Sequence, residues 1–254
     1  MHPFFRANLF HVTGRDADLI IDFGMGLQSL RRFLRLRGGK PVLAVATHVH
    51  VDHVGSFHEF EHRLGHAAEE DGFAAMADEC TLAGFFRDQP EPVSQAPHPA
   101  WSPEGYVIAP APLTDALIEN GRIETGDASY RVLHLPGHSP GSIGLLDEQN
   151  GVLFSGDAIY DGLLVDDLPG CDKAEYRKTM ERLLTLEVDV AYGGHGNPMS
   201  QERMRSIAEG YLNPRSPSDP RHKASEHTDA VQMLRLPGFT AGIAASSGGR
   251  RSGG

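Results

Sequence analysis

The sequence has few cysteines, a single tryptophan and no long apolar run, so it lacks the features of disulfide-rich and membrane-spanning proteins. Its 254 residues include two cysteines, Cys80 and Cys171, and a single tryptophan. Two cysteines cannot form the disulfide framework that stabilises small secreted domains. No apolar run approaches the roughly 20 residues that a membrane-spanning helix requires. The chain is therefore expected to fold around a hydrophobic core and to have no membrane partner.

Basic residues are also scarce. Lys and Arg number 23 against 34 Asp and Glu, which gives a formal net charge of −11. Because nucleic-acid binding needs clustered Lys and Arg to neutralise phosphates, this balance disfavours a nucleic-acid partner. The one basic cluster, in residues 31–37, has helical spacing and is interpreted as a solvated helix face. No signal peptide is recognisable, so a cytoplasmic location is the default expectation.

Histidine, by contrast, is abundant, and three of the 14 histidines fall in residues 47–53, Thr-His-Val-His-Val-Asp-His. The apolar run at 41–46 predicts a buried strand just before them. Alternation along an extended chain puts the first two histidines on one side, and the carboxylate and the last histidine follow as the chain turns. Neutral imidazole and carboxylate are ligands for Zn²⁺, Fe and Mn²⁺. The stretch predicts a two-metal centre whose ligands include His48, His50, Asp52 and His53.

Three later strand segments each end in a Gly-rich loop that offers one more ligand. Glycine permits the tight, positive-φ backbone that lets a side chain project into a crowded site. Each of these residues alone could be an ordinary turn residue, but their recurrence after the first cluster indicates one shared site. They are His138 in Pro-Gly-His-Ser-Pro-Gly, Asp157 in Ser-Gly-Asp and His195 in Gly-Gly-His-Gly.

The remaining pattern predicts alternating strands and helices. Residues 7–12 and 17–22 read as a hairpin, and 27–34 has the apolar period of a helix. His62 and His66 have helical spacing, but the strand-like residues between them argue against a metal pair. Further helices are predicted at 57–61, 67–79, 176–186 and 201–212, and further strands at 117–124, 129–135, 144–147, 152–155 and 188–192.

Residues 81–112 form a long irregular segment with seven prolines. A segment of this length inside a compact domain is usually functional or disordered. Its aromatic residues could line a substrate site or anchor the segment to the body of the protein, and the sequence leaves both open. These residues are Phe85, Phe86, Trp101 and Tyr106.

The composition shifts to Ser, Pro, Arg, His and Gly after residue 214. We therefore expect a main domain at 1–214 and a C-terminal extension at 215–254. The extension is predicted to contain a helix at 228–236 and a disordered, low-complexity end at 246–254.

The seven candidate ligands, each in its local context, resemble those of the metallo-β-lactamase superfamily. The resemblance spans residues 7–212 and implies an α/β fold, the four-layer αβ/βα metallo-β-lactamase sandwich, with two metal ions at one edge of its two sheets. Asp22 matches a supporting position at which a carboxylate orients a ligand or its loop. The resemblance also implies that His48, His50 and His138 hold the first ion, that Asp52, His53 and His195 hold the second, and that Asp157 bridges both.

Two positions distinguish groups within this superfamily. Glyoxalase II enzymes, N-acyl homoserine lactonases and acyl-CoA thioesterases keep an aspartate where this chain has Asp157, whereas true β-lactamases typically carry Cys or Ser nearby. Tyr160 matches a tyrosine of the lactonases. The stretches 44–50 and 154–162 also resemble the metallo-β-lactamase domain-containing protein 2 group, which is associated with acyl-CoA thioester hydrolysis. The implied function is a dinuclear metal-dependent hydrolase that cleaves an ester, thioester or lactone bond.

The implied nucleophile is a hydroxide that bridges two divalent ions, with Zn²⁺ expected and Fe or Mn²⁺ as alternatives. Asp52 would orient this hydroxide, and Tyr160 would donate a hydrogen bond to the carbonyl or the leaving group of a small acyl substrate. Alternative readings are a mono-iron persulfide dioxygenase, a β-lactamase, a nuclease and a non-catalytic metal-binding protein. The sequence leaves open whether the protein is a monomer or a homodimer.

Overall fold

The computed structural model describes residues 5–36 and 38–214, and the backbone of 235–236 and 239–240. Two β-sheets form the centre of this part of the chain. The first sheet has five strands in sequential order, of which the first pair is antiparallel and the others are parallel. Its strands are β1 (Phe10–Thr13), β2 (Asp18–Ile21), β3 (Val42–Val45), β4 (His62–His66) and β5 (Asp115–Leu117).

The second sheet has six strands in the order β11-β10-β9-β8-β7-β6. Adjacent strands in this sheet are antiparallel, except β9 and β10, which are parallel. The strands β7, β9 and β10 therefore run in one direction and end at the same edge of the sheet. Their bounds are β6 (Arg122–Glu124), β7 (Ser129–His134), β8 (Ile143–Asp147), β9 (Val152–Gly156), β10 (Val190–Gly193) and β11 (Met199–Ser200).

Helices cover the outer face of each sheet. Short helices pack on the first sheet, and two longer ones pack on the second. The long helices begin where the sequence supplies a cap, because Asp172 and Ser200 each accept a hydrogen bond from a backbone N–H of the first turn. The helices are α1 (Val51–Val54), α2 (Glu70–Ala75), α3 (Asp78–Thr81), α4 (Ala83–Arg87), α5 (Lys173–Leu184) and α6 (Gln201–Leu212).

Both faces of each sheet are buried, and the strands divide their apolar residues between them with period two. In β2, Leu19 and Ile21 enter the core between the sheets, and Ile20 enters the outer core under the short helices. In β7, Val132 faces the other sheet and Leu133 faces α5 and α6. Three apolar cores thus separate four layers, which confirms the predicted αβ/βα sandwich.

Several predicted elements are wrong in detail. The helix expected at 57–61 is a 3-10 turn at Phe57–Glu59, and the segment expected to be irregular at 81–112 contains α4. Residues 27–34 contain only a 3-10 turn at Leu30–Arg32, because Ser29 and the Arg31 backbone are hydrogen-bonded to the Glu59 carboxylate instead of continuing a helix. The single helix expected at 67–79 is divided at Met76, which adopts a left-handed conformation with φ of 48°. The strand expected at 117–124 is two strands in different sheets.

The predicted helix at 228–236 lies outside the described residues, apart from the short strand β12 (Arg235–Leu236), which pairs with β13 (Phe239–Thr240). The proposed boundary at residue 214 therefore stays a prediction. Within the residues that the structure describes, every helix is too short or too polar to cross a bilayer.

Candidate metal centre

The first cluster of ligand-type residues lies directly after β3. The chain leaves the sheet at Val45, bends through residues 47–50 and then makes the single turn of α1, whose N-cap is His50. Asp52 and His53 lie on that turn. Four polar side chains are therefore buried at the carboxyl end of one strand, and all four are at most 7% exposed.

The other three ligand candidates reach the same place from the second sheet. His138 follows β7, Asp157 follows β9 and His195 follows β10. A backbone hydrogen bond of 2.9 Å from Ile143 N to Thr47 O joins the two sheets at this edge. The structure thus brings together all seven residues that the sequence singled out.

Their ligand atoms form three overlapping groups, in each of which all atoms lie within 4.8 Å of one another. The first group contains three imidazoles, and the third contains two imidazoles and a carboxylate. The middle group connects the other two. The groups are His48, His50 and His138; His48, His53 and Asp157; and Asp52, His53 and His195.

Asp157 occupies the middle of the cluster. Its Oδ2 lies 3.2 Å from His195 Nε2 and 3.5 Å from His138 Nε2, and its Oδ1 lies 3.5 Å from His53 Nε2. Asp52 contacts the same side, with Oδ2 3.4 Å from His195 Nε2. The carboxylate of Asp157 is therefore shared between the imidazoles of both sheets.

Each of three imidazoles has its outward nitrogen paired with a group that can only accept a hydrogen bond. His53 Nδ1 lies 2.8 Å from Asp22 Oδ2, His138 Nδ1 lies 2.9 Å from Val165 O, and His195 Nδ1 lies 3.2 Å from Arg6 O. The proton is therefore on Nδ1 in each case. Nε2, the nitrogen that faces the cluster, is left with a free lone pair when the ring is neutral.

Asp22 also holds the loop that carries the first histidines. It takes a left-handed backbone conformation with φ of 63°, and its carboxylate accepts hydrogen bonds from the Thr47 N–H at 2.8 Å and the Thr47 hydroxyl at 3.0 Å. One buried carboxylate thus fixes both His53 and the start of the histidine loop, as expected for the supporting position.

Glu69 ties together the loops of the first three imidazoles. It is 7% exposed, and its Oε2 accepts a 3.0 Å hydrogen bond from Val49 N, between His48 and His50. Gly141, in the loop after His138, packs directly against the same carboxyl group, where a Cβ would clash. Glu69 could not be predicted as part of the site, because nothing in the run Ala-Ala-Glu-Glu distinguishes a buried glutamate from an exposed one.

Three polar atoms of the cluster are buried without any hydrogen-bond partner: His48 Nε2, His53 Nε2 and Asp157 Oδ1. Unsatisfied buried polar atoms are rare, since each forfeits its solvation without compensation. The three residues that carry these atoms form the middle group of the cluster. Residues that present orphaned imidazole and carboxylate atoms to one point fit a divalent cation.

The charges within the cluster are strongly coupled. Burial, reinforced by neighbouring imidazoles, lowers the pKa of His48 and of His50 well below 6.5, so both rings are neutral. Burial also opposes the charged form of His53, but the Asp22 and Asp157 carboxylates outweigh it and raise the pKa of that ring. Burial would raise the pKa of Asp157, but His195 and His53 hold it well below its usual value.

The close approach of the loops requires glycine at one position above all. A Cβ on Gly194 would collide with Asp157 Oδ1 and would touch His53 Cε1 at 2.9 Å. Any other residue would therefore push the His195 loop away from the cluster.

A pocket of about 630 Å³ opens beside the cluster. Ligand candidates from both sheets form its floor. Its walls are largely apolar, and they come from the N-terminal segment, from α1, from Leu82 and α4, and from the loop after β9. The apolar lining residues are Phe5, Val51, Leu82, Phe85, Leu163, Val165 and Leu168.

The aromatic residues of 81–112 divide between the two roles that the sequence left open. Phe85 lines the pocket and is 47% exposed, whereas Phe86 and Tyr106 are buried in the outer core. Tyr160 also lines the pocket, and its ring lies 5.2 Å from that of His195. Its hydroxyl donates a 2.6 Å hydrogen bond to Leu163 O, within the same loop.

Sandwiches of this topology, with imidazoles and carboxylates converging at one edge of both sheets, form a single class of αβ/βα metalloproteins. Residues 3–195 match the family described as the Metallo-beta-lactamase superfamily, and the chain belongs to that superfamily. This result confirms the family predicted from the seven ligand positions.

Curated relatives of the chain carry names of enzymes. It is 37% identical to the acyl-coenzyme A thioesterase MBLAC2 of Gallus gallus, over 82% of this chain and 78% of the relative. The protein of the same name from Homo sapiens is 36% identical over 82% and 79% of the two chains. These relatives confirm the prediction of an enzyme of the metallo-hydrolase type.

Solved structures share the fold. A metallo-beta-lactamase family protein from Thermus thermophilus has a TM-score of 0.62 at 22% identity, covering 81% of this chain and 73% of that one. The protein TTHA1623, solved in a di-iron-bound form, has a TM-score of 0.60 at 26% identity, covering 83% and 95%.

Proposed function

We propose that this protein is a dinuclear metal-dependent thioesterase that hydrolyses acyl-coenzyme A. The observation that carries the proposal is the convergence of seven ligand-type side chains, three of them with orphaned buried atoms, at the base of an apolar pocket that five of the seven line. The thioesterase relatives at 36–37% identity support the substrate class. The relative solved with two irons supports the number of ions.

The proposed ligand sets follow the three groups of atoms. The first ion would be held by His48, His50 and His138, the second by Asp52, His53 and His195, and Asp157 would lie between them. We propose Zn²⁺, and Fe and Mn²⁺ are alternatives that imidazole and carboxylate also accept. When bound, the ions would supply a water of lowered pKa and a Lewis acid for the thioester carbonyl oxygen.

The protein side chains would orient the reaction. Asp52 lines the pocket and would position the attacking water by accepting a hydrogen bond from it. The oxygen of that water forms the new bond to the carbonyl carbon, the carbon–sulfur bond breaks, and the departing thiolate takes up a proton. Tyr160 would act from the pocket wall, where its hydroxyl, which donates to Leu163 O in this structure, would donate to the thioester carbonyl or to the leaving group instead.

The pocket suits the acyl group better than the nucleotide. Among the described residues that line it, none is Lys or Arg, and the chain carries a net charge of −11. The phosphates of coenzyme A would find no cation in this pocket and would be repelled at long range. The acyl chain would instead lie against Phe85, Leu163 and Leu168.

The test is a substrate panel with the metal-loaded protein, in which acyl-coenzyme A is compared with the acyl thioester of N-acetylcysteamine, which lacks the nucleotide. We expect both to be hydrolysed with kcat/KM within about tenfold of each other, since binding depends on the acyl group. Leu163→Ser should lower kcat/KM for an apolar acyl chain by roughly tenfold, corresponding to about 1–2 kcal/mol of lost apolar contact.

Ile118→Ser is the matched control, because Ile118 is also exposed, at 62%, but does not line the pocket. Equal losses in both variants would remove Leu163 from substrate binding. Turnover of a lactone, a β-lactam or an oxygen-consuming persulfide substrate, with acyl thioesters untouched, would refute the thioesterase proposal.

A further inference from the structure

The loop that carries His195 has little of its own to fix its shape. It reads Gly193-Gly194-His195-Gly196, and Gly196 adopts a φ of 72°. Glycine has the widest conformational freedom of any residue, so such a loop loses the most conformational entropy on folding. Something outside the loop must hold His195 towards Asp52 and Asp157.

Asn8 provides that hold from the other end of the chain. Its side-chain Nδ2 donates to Gly193 O at 3.0 Å and to Gly196 O at 2.9 Å, and its backbone N donates to Gly194 O at 2.6 Å. Two residues earlier, Arg6 O lies 3.2 Å from His195 Nδ1. One short segment therefore contacts every residue of the loop.

The amide of asparagine suits this task because it carries two N–H donors on one planar group. Each donor can satisfy a different carbonyl, one on each side of His195. Aspartate has the same shape and no donor, so its carboxylate would face two carbonyl oxygens. A serine has one donor and could satisfy only one of them.

We propose that Asn8 is a positioning residue, which holds the His195 loop so that His195 Nε2 faces Asp52 and Asp157. The effect of Asn8 on metal binding rests on the proposed function, because His195 belongs to the proposed second ligand set. The geometry of the loop does not depend on an ion. From the sequence, Asn8 was predicted only as part of the strand at 7–12.

The experiment compares Asn8→Asp with wild type. The control is Asn150→Asp, since the Asn150 amide donates to Asp147 Oδ2 in the β8–β9 turn, at the opposite edge of the sheet. For each protein, Co²⁺ is titrated into the metal-free chain in competition with a chelator, and kcat and KM are measured. We expect Asn8→Asp to weaken uptake of the second ion by at least tenfold, with the first ion unchanged.

A second readout does not need metal. In the metal-free protein, a ¹H–¹⁵N spectrum of the imidazoles reports which ring nitrogen of His195 carries the proton. Asn8→Asp should change the His195 signals and leave those of His48 and His50 in place, while the melting temperature shows that the variant is folded. Asn8→Ala repeats the test without the added charge.

Unchanged His195 signals and an unchanged second ion in Asn8→Asp would overturn the inference. A wild-type chain that takes up fewer than two ions would instead refute the dinuclear proposal. In that case the His195 signals alone decide the role of Asn8.

Discussion

At the residue scale, the centre depends on which nitrogen each histidine presents. His53, His138 and His195 are each fixed by an acceptor on the far side of the ring, and only one of these acceptors, Asp22, is a side chain. The ligands themselves could be predicted because residue type and spacing carry their chemistry. The two backbone acceptors, Val165 O and Arg6 O, could not, since every residue has a carbonyl and its sequence position has no signature.

Tyr160 provides a test at this scale. We expect Tyr160→Phe to reduce turnover of the best thioester by roughly two- to tenfold, the effect of losing one hydrogen bond of about 0.5–1.5 kcal/mol, while metal content is retained. The measurements are the turnover rate and the metal content. Tyr130→Phe is the control, because the Tyr130 hydroxyl is buried between the sheets without a partner and lies away from the pocket. An unaltered rate in Tyr160→Phe would take this residue out of the mechanism.

At the element scale, hydrophobic periodicity predicted the helices and strands correctly where a single face of the element is buried. It predicted them wrongly where tertiary contacts decide the backbone conformation. The helix at 201–212 was predicted with the bounds that α6 has, because its apolar stripe and its N-cap agree. Residues 117–124 were predicted as one strand, but Asn120 has a φ of 62° and the chain there turns from the first sheet into the second. The Asn-Gly pair at 120–121 was the signal for that turn.

A stacked pair of histidines joins the ends of β4 and β7. The His66 and His134 rings are parallel to within 13°, with centroids 3.9 Å apart, and His66 is 8% exposed. Burial, and then the neighbouring His134, lowers the pKa of His66 from 6.5 to about 4, with Glu119 acting in the opposite direction. The two sheets are thus linked by a ring that must stay neutral.

The folded protein therefore binds fewer protons at His66 than the unfolded chain does between pH 6.5 and 4. Its contribution to stability is complete above pH 6.5 and is lost as the pH falls towards 4. In wild type, the free energy of unfolding should fall by about 1–3 kcal/mol over this window because of His66, and we expect His66→Gln to remove that part of the pH dependence. Denaturant unfolding of the metal-free protein across the window measures it, with His62→Gln, at the exposed start of the same strand, as the control. If His66→Gln and wild type lose stability in parallel on acidification, the ring has no such role.

At the scale of the whole molecule, the sandwich brings the ends of four strands, β3, β7, β9 and β10, to one edge. The seven ligand positions were predictable, since buried strands ending in His- or Asp-bearing loops are a local pattern. The four-layer fold was predicted only through the family resemblance that these positions carry. The pocket was less predictable from the sequence than the ligands were. Its walls combine Phe5, Phe85 and Leu163, which are far apart in the sequence and are brought together only by the packing of loops around the centre.

The dinuclear proposal is tested by the metal content of the purified chain of residues 1–254 and of its Asp157→Ala variant, measured together with turnover on an acyl thioester. We expect two ions per wild-type chain. In Asp157→Ala we expect the loss of at least one ion and a turnover rate that falls by at least about two orders of magnitude, since the shared carboxylate is removed. A variant that kept both ions and full turnover would contradict the dinuclear proposal.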